Sequence, residues 1–208
     1  MQNLSHKQQA EQEAIRLAVV RLSALADWPT RCARLGLPDP APPGGSIRIG
    51  VLGVTLEICP PDFRVVMIGS GKPPKPAEHL LALHYLLGDL PVVPAREWVT
   101  FREFPGGQFY WQPFLSRSIK PLVGRIGNNL DLLRDHLTRF SATVSSLPDG
   151  GLRATIRALG AIELMLVYRP GDDEFLPSAD VLFDSCARRC LCAEDAAALG
   201  GRFCIGLL

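Results

Sequence analysis

The sequence carries little net charge and no long apolar run. Its 22 Lys and Arg residues are balanced by 21 Asp and Glu residues, so the formal net charge is only +1. Such a chain lacks the strong positive field that attracts nucleic acid or an anionic membrane surface. It also lacks the run of about 18 apolar residues that a membrane-spanning helix requires. We therefore expect neither a nucleic-acid partner nor a membrane partner.

The amino-terminal segment lacks the features of a secretory signal. Residues 1–16, MQNLSHKQQAEQEAIR, are polar, alternate in charge and have no apolar core. We therefore expect a cytoplasmic protein whose six cysteines are reduced thiols unless they bind a metal. With 47% hydrophobic residues, the 208 residues can form a sizeable core. We predict a single domain, 1–208, with Pro/Gly-rich loops near 37–45 and 69–76.

Common catalytic and nucleotide-binding motifs are also absent. The sequence contains no GxGxxG, no HExxH and no GxSxG. Residues 69–72, GSGK, resemble the end of a phosphate-binding loop, but Val66 takes the place of the first glycine and Pro73 that of Ser or Thr. The acidic run 172–174 could hold a divalent cation, although a solvated turn is the simpler interpretation. None of these motifs identifies a reaction.

Hydrophobic periodicity predicts a mixture of helices and antiparallel strands. Helical patterns cover 11–28, 77–87, 113–126, 128–140 and most of 179–208. Strand patterns cover 46–52, 54–59, 63–68 and 98–104, with a hairpin over 151–169. Strands and helices follow one another without a βαβ rhythm. We therefore expect the α+β class, with a mainly antiparallel sheet and helices packed on one side.

The most distinctive segment is 97–114, EWVTFREFPGGQFYWQPF. It holds seven aromatic residues, although the whole chain has only three Trp, three Tyr and nine Phe. Aromatic side chains this dense around a Pro-Gly-Gly turn are typical of a core corner or of the wall of a ligand pocket. The segment is therefore the first candidate for a binding site.

Arg102 is the residue of this segment with the clearest chemical role. In a strand over 98–104, Arg102 shares one face with Trp98 and Phe104, so aromatic rings flank its guanidinium. The guanidinium then stacks, pairs with a carboxylate or binds a ligand anion. Glu103 points to the opposite face of the strand, so it is not the obvious local partner.

Tyr110 and Trp111 follow the Pro-Gly-Gly turn at 105–107. Because this turn redirects the chain, we expect both rings to close over Arg102. An anion bound there would take two hydrogen bonds from the guanidinium while the rings exclude water.

His84 lies on the apolar face of the predicted helix 77–87. It follows Leu80 by one turn and neighbours other leucines of the same stripe. One interpretation is a partly buried histidine whose hydrogen bonds are satisfied, and the other is an axial ligand or proton donor for a bound cofactor. His79 falls off the stripe, and we expect it to be exposed.

Four of the six cysteines lie near the carboxyl end of the sequence, at Cys186, Cys190, Cys192 and Cys204. Four thiolates could hold zinc or an iron–sulfur cluster. The spacing C-x3-C-x-C-x11-C, however, matches neither a CxxC pair nor a ferredoxin run. Because buried free cysteines behave as small hydrophobic residues, we predict no metal, with metal binding by these four as the alternative.

Three stretches of the chain resemble the family catalogued as domain of unknown function 3786. They are HYLLG at 84–88, EWVTFREFPGGQFY at 97–110 and VLFDSCARRCLCAEDAAALG at 181–200. Members typically carry a YLL segment, a W-x-S-F-R-E-L-P-G-G-x-x-Y segment and an L-F-D-S-x-A segment followed by an E-D-x-A-x-L-G helix. The matching positions are Trp98, Arg102, Glu103, Gly106, Gly107, Tyr110, Asp184, Glu194 and Asp195.

The resemblance also implies a biological setting. Members occur mainly in anaerobic prokaryotes, and some carry an additional four-cysteine iron–sulfur module of a type seen in corrinoid enzymes. This chain has no such module, and the family pattern requires no cysteine at 186, 190 or 192. The resemblance therefore points to anaerobic metabolism, with a corrinoid or another tetrapyrrole as the suggested cofactor.

Three hypotheses for function remain. The first is a binding domain that holds an anionic small molecule or a flat cofactor between the aromatic corner and the helix of His84. The second is a hydrolase or lyase in which Glu103 or Asp184 acts as base and Arg102 steadies an oxyanion. The third is a docking domain for an iron–sulfur partner protein. The candidate ligand-binding residues are Trp98, Arg102, Glu103, Tyr110, Trp111, His84 and Asp184.

Overall fold

The computed structural model describes residues 5–40 and 45–208, which form two compact units. Unit 1 contains the described chain up to Val93 together with Leu159–Ala161 and Arg189–Leu191. Unit 2 contains Pro94–Ala158, Ile162–Arg188 and Cys192–Leu208. The single domain 1–208 stays a prediction. Of the predicted loop at 37–45, residues 41–44 lie outside the described residues and 37–40 have no regular structure.

Unit 1 begins with two helices, α1 (His6–Ser23) and α2 (Trp28–Arg34). Ser5 caps α1 by accepting a hydrogen bond from the amide of Gln8, whose side chain bonds back to the Ser5 amide. The predicted helix 11–28 therefore overlaps α1 but begins after its start and extends beyond its end. It is interrupted because Asp27 adopts a left-handed backbone with φ of 55° and caps the separate helix α2.

Three strands follow, β1 (Ile47–Val51), β2 (Val54–Cys59) and β3 (Arg64–Met67). They pair as an antiparallel meander, as predicted. Leu52 and Gly53 both have positive φ, the backbone of the two-residue turn that suits a tight hairpin. Alternate residues of β1 are buried, namely Ile47, Ile49 and Val51.

Helix α3 (Pro76–Leu87) ends at Gly88, as the sequence predicts. Its Tyr85 is fully buried, and its hydroxyl donates to the Leu35 carbonyl and accepts from the Ala161 amide at 2.8 Å. Gly160 is required beside it, because a Cβ there would overlap the Tyr85 ring. This phenol therefore connects α3 with the loop after α2 and with the turn at Leu159–Ala161.

Unit 2 contains a sheet that includes the predicted hairpin over 151–169. The hairpin is confirmed, since β6 (Leu152–Leu159) and β7 (Ile162–Arg169) are adjacent strands. The other strands are β4 (Trp98–Thr100), β5 (Thr143–Ser146) and β8 (Ser178–Asp184), and the strand order is β5-β6-β7-β8-β4. Strands β5, β8 and β4 all pair antiparallel with their neighbours. The predicted α+β class is confirmed.

The helices of unit 2 begin at Gly107. Helix α4 (Gly107–Phe114) continues through a π-helical turn (Leu115–Ile119) into α5 (Lys120–Ile126). Helix α6 (Leu130–Thr138) follows the predicted cap, Asn129, and α7 (Ala193–Gly206) is the last helix.

The helix predicted over 113–126 begins earlier than expected, at Gly107, so Pro113 lies near the end of α4 and does not begin a helix. Pro121 lies in the first turn of α5, which begins at Lys120. Pro121 has no amide hydrogen to donate to the preceding turn, and the adjoining backbone is π-helical. The tail 179–208 is mostly helical, as predicted, through a 3-10 helix (Ser185–Arg189) and α7, but its first residues form β8 against β7.

Candidate functional site

The segment 98–104 leaves the sheet earlier than its sequence pattern predicts. Strand β4 ends at Thr100, and Phe101–Glu103 form one turn of 3-10 helix. Glu103 stabilises this turn by accepting hydrogen bonds from the Thr100 amide at 2.7 Å and from the Thr100 hydroxyl at 3.1 Å. The expectation that Trp98, Arg102 and Phe104 share one strand face is therefore wrong.

The two glycines after Pro105 direct the chain into α4 for different reasons. Gly106 has φ of 81°, a left-handed backbone that disfavours any residue with a Cβ. Gly107 packs so closely on the 3-10 turn that a Cβ would overlap the Phe101 carbonyl oxygen. The Gly-Gly pair therefore supplies a turn at its first residue and a close backbone approach at its second.

Buried aromatic rings hold the corner together. Phe101 stacks on Phe114 with ring centroids 4.5 Å apart, and Phe104 meets Phe183 edge to face at 5.1 Å. All four side chains are almost fully buried. Trp111 joins this cluster at its edge, 6.1 Å from Phe114 and 6.5 Å from Phe101. The half-buried Trp111 ring therefore lies between the buried cluster and the surface.

Arg102 lies over the outer part of this cluster. Its guanidinium carbon is 4.4 Å from the centroid of the Trp111 ring, within the range of a cation–π contact. The side chain is exposed, and no carboxylate of the described residues lies within ion-pairing distance of it. Arg102 and Trp111 are therefore in contact, as expected, and the Arg102 guanidinium is exposed to solvent.

Phe109 and Tyr110, the two residues that directly precede Trp111 in α4, are exposed. Phe109 is 88% exposed and Tyr110 is 46% exposed. We define the corner surface as Arg102, Phe109, Tyr110 and Trp111. Exposed aromatic residues together with arginine are typical of interaction sites.

Phe109 was not among the residues that the sequence singled out. Helix α4 begins at Gly107, and within it Trp111 and Phe114 contact each other and Phe101. Phe109 lies outside these contacts and is exposed.

Glu103 and Asp184, the two candidate bases, are both engaged by hydrogen bonds. The amide and hydroxyl of Thr100 hold the pKa of Glu103 below its usual range. Asp184 is fully buried, and its carboxylate accepts from the amides of Arg96 at 2.7 Å, Cys186 at 2.9 Å and Ala95 at 3.1 Å. Burial acts to raise the pKa of Asp184, but a hydrogen bond with the Cys186 side chain and those with the three amides outweigh it and lower that pKa.

Trp98 is half-buried and lies directly opposite Asp184 in the pairing of β4 with β8. The structure therefore brings these two predicted site residues together at the end of the sheet. Trp98 belongs to the strand that ends before the 3-10 turn, so it does not share the strand face predicted for Arg102.

The histidines of α3 lie in unit 1. His84 is half-buried in that helix. The expectation that His79 is exposed is wrong, because its Nε2 atom is buried and has no hydrogen-bond partner among the described residues. Burial lowers the pKa of His79 and so favours the neutral ring.

The carboxyl-terminal cysteines have separate environments. Cys186 and Cys204 are buried, Cys190 is half-buried in unit 1, and Cys192 is exposed. The Cys192 thiol contacts the Asp195 carboxylate at 3.2 Å. In residues 5–40 and 45–208, no three Cys, His, Asp or Glu side chains are placed to share a metal ion. Absence of metal stays a prediction, which elemental analysis of protein purified without oxygen would test.

The chain belongs to the family described as domain of unknown function DUF3786, whose model matches residues 27–205. This match confirms the resemblance carried by the HYLLG, EWVTFREFPGGQFY and LFDS segments. No curated protein and no solved structure matches the chain. None of the helices in the described ranges combines the length and the apolar character that crossing a bilayer demands.

Proposed function

We propose that the protein is a binding domain that takes an anionic molecule on the corner surface of unit 2. The observation that carries the proposal is the Arg102 guanidinium, held over Trp111 at 4.4 Å and without a carboxylate partner in the described chain. An arginine stacked on a ring loses little freedom on binding, and its planar fork matches a carboxylate or phosphate. The buried aromatic cluster beneath Trp111 keeps this geometry fixed.

The corner surface also suggests the class of ligand. Phe109 and Tyr110 offer exposed aromatic area close in sequence to the Trp111 ring. A molecule with one carboxylate or phosphate and a flat apolar part could use both the cation and the rings. A corrinoid or another tetrapyrrole with acidic groups belongs to this class, and the family resemblance is what suggests it.

A titration with benzyl phosphate, followed by NMR, tests the proposal. The probe is the Trp111 indole N–H, assigned from its absence in Trp111→Phe. We expect saturable shifts of this signal with benzyl phosphate and none with benzyl alcohol, which keeps the ring and lacks the charge. Arg102→Leu should remove the shifts, whereas Arg125→Leu should not, because Arg125 is an exposed arginine on α5 outside the corner surface.

An absence of saturable shifts with benzyl phosphate, or equal shifts with benzyl alcohol, would contradict the proposal. A corrinoid added under anaerobic conditions extends the same titration to the suggested cofactor. If the corrinoid binds and Arg102→Leu has no effect on its affinity, the site is elsewhere.

The exposure of Phe109 favours a second candidate function, docking of a protein partner such as an iron–sulfur protein. A phenylalanine that is 88% exposed is costly in water and is typical of the centre of a protein interface. The two candidates differ in the effect of Phe109→Ser. Binding of benzyl phosphate should tolerate this change if Arg102 is the main anchor, whereas a protein interface centred on Phe109 should lose most of its affinity.

A further inference from the structure

Unit 1 contains a second positively charged site, which no sequence motif marks. A cleft of about 680 Å³ lies among the end of α1, helix α2 and the residues that follow α3. Three arginines, Arg21, Arg31 and Arg34, line it together with Leu25 and Leu87. We call it the arginine cleft. Its size falls within the usual range of small-molecule sites, about 300–1,000 Å³.

Arg31 has a structural role at the base of the cleft. Its Nε donates to the Leu86 carbonyl at 2.6 Å and its Nη2 donates to the Gly88 carbonyl at 2.8 Å. These bonds satisfy two carbonyl groups at the end of α3 and hold the guanidinium in one place. Burial, and to a smaller extent the charge of Arg34, lowers the pKa of Arg31. Arg34 is therefore close enough to Arg31 for their charges to repel.

The carboxylate that lines the cleft does not neutralise these arginines. Asp89 is paired with Arg189, whose Nη2 lies 3.1 Å from its Oδ2. Arg21 and Arg34 are exposed, and neither has a carboxylate within ion-pairing distance among the described residues. The cleft thus holds an excess of positive charge.

A purely structural explanation exists for the same residues. Arg21 lies in the last turn of α1, and Arg31 and Arg34 lie in the last turn of α2, where positive charge favours a helix. That explanation requires no cleft between the helices and predicts no ligand. It accounts for Arg31 through the bonds to α3, but it leaves the convergence of Arg21 and Arg34 on one cavity unexplained.

We infer that the arginine cleft binds a small polyanion, a molecule that carries phosphate groups or at least two carboxylates. Arg21 and Arg34 would contact the ligand, and Arg31 is a positioning residue that fixes the cleft. One anionic group between Arg21 and Arg34 would offset the charge excess, and Leu25 and Leu87 would cover an apolar part of the ligand. This inference does not depend on the corner surface, which belongs to unit 2.

Calorimetric titration of the full chain with inorganic pyrophosphate tests the inference. Arg21→Gln and Arg34→Gln should each weaken binding by about tenfold or more, the effect of losing one charge-assisted hydrogen bond. The matched control is Arg64→Gln, which removes an exposed arginine on β3 outside the cleft and should leave the affinity within about twofold. Arg102→Leu should leave the affinity unchanged, which separates this site from the corner surface.

Thermal melting establishes that each variant remains folded, and Arg31→Gln is avoided because it breaks the bonds to α3. Titration with citrate then distinguishes a phosphate site from a general polyanion site. Binding of pyrophosphate that Arg64→Gln weakens as strongly as Arg34→Gln would overturn the inference, because nonspecific charge attraction would then explain it. Failure of both pyrophosphate and citrate to bind would overturn it as well.

Discussion

The Asp184 carboxylate lies 2.7 Å from the backbone amide of Arg96 and accepts its hydrogen bond. Arg96 has φ of 55°, so the chain enters β4 through a strained residue that needs local support. The same carboxylate accepts from the amides of Ala95 and Cys186. One buried aspartate thus ties the start of β4 to the end of β8, which gives the aspartate of the LFDS segment a structural role.

Replacing Asp184 should destabilise unit 2 strongly. Asp184→Ala leaves three amide donors without their acceptor, and we expect a loss of about 3 kcal/mol in the free energy of unfolding. Asp180→Ala is the matched control on the same strand. Asp180 is exposed, and its ion pair with Arg169, at 3.8 Å, is long and lies at the surface. It should cost about 0–1 kcal/mol. Urea unfolding measures both, and equal losses would show that the buried hydrogen bonds contribute little.

The contribution of Asp184 should also depend on pH in a defined direction. Because the folded protein lowers the pKa of Asp184, its stabilisation is complete above the unfolded value of about 3.9 and is lost as the pH falls through the folded pKa. The stability difference between the wild type and Asp184→Asn should therefore be constant from about pH 7 to 5 and shrink below about pH 4. A difference that grows on acidification would mean that the folded pKa is raised.

The two neighbouring glycines should respond differently to alanine. Gly107→Ala forces a Cβ onto the Phe101 carbonyl oxygen, and we expect a loss of about 3 kcal/mol. A Cβ at position 106 contacts no other atom of the described chain, so Gly106→Ala should lower the free energy of unfolding only through its left-handed backbone, by about 1 kcal/mol. Chemical denaturation of the two variants compares them directly. If Gly106→Ala were the more damaging change, the close approach of α4 to the 3-10 turn would be in doubt.

The cysteines should differ in their reactivity towards a thiol reagent. Burial raises the pKa of Cys190 and Cys204 to about 12 and that of Cys32 to about 11, so these thiols carry almost no thiolate near neutral pH. Cys192 is exposed, and we expect it to be labelled before them in the native protein. Peptide mapping after brief alkylation identifies the labelled sites. Early labelling of Cys204 would contradict its burial.

Much of the fold could be predicted because local patterns agreed with tertiary contacts. The alternation of buried and exposed residues in β6 specifies a strand, and Gly88 and Asn129 mark the end of α3 and the start of α6. The strand prediction over 98–104 was wrong for a physical reason. The chain follows a strand only up to Thr100, and the hydrogen bonds from the Thr100 amide and hydroxyl to the Glu103 carboxylate then favour a 3-10 turn. A capping interaction inside an apolar run is hard to recognise in one sequence.

The candidate site was predicted in part. The Pro-Gly-Gly turn at 105–107 predicted that Trp111 closes over Arg102, and the structure places the two side chains in contact. The exposure of Arg102 above a half-buried Trp111 was not predictable, because it depends on the packing of Trp111 against Phe101 and Phe114. The arginine cleft escaped prediction altogether, since Arg21, Arg31 and Arg34 are ordinary surface residues of two helices until the fold brings them together.

The most direct test of the corner surface is Arg102→Leu, measured by thermal melting without ligand and by titration with benzyl phosphate. Because Arg102 is exposed and pairs with no carboxylate of the described chain, we expect a change in stability of less than about 1 kcal/mol and complete loss of binding. A loss of about 3–5 kcal/mol, the range for stranding a buried charge partner, would show that Arg102 is part of the scaffold and would contradict its role as the anion anchor.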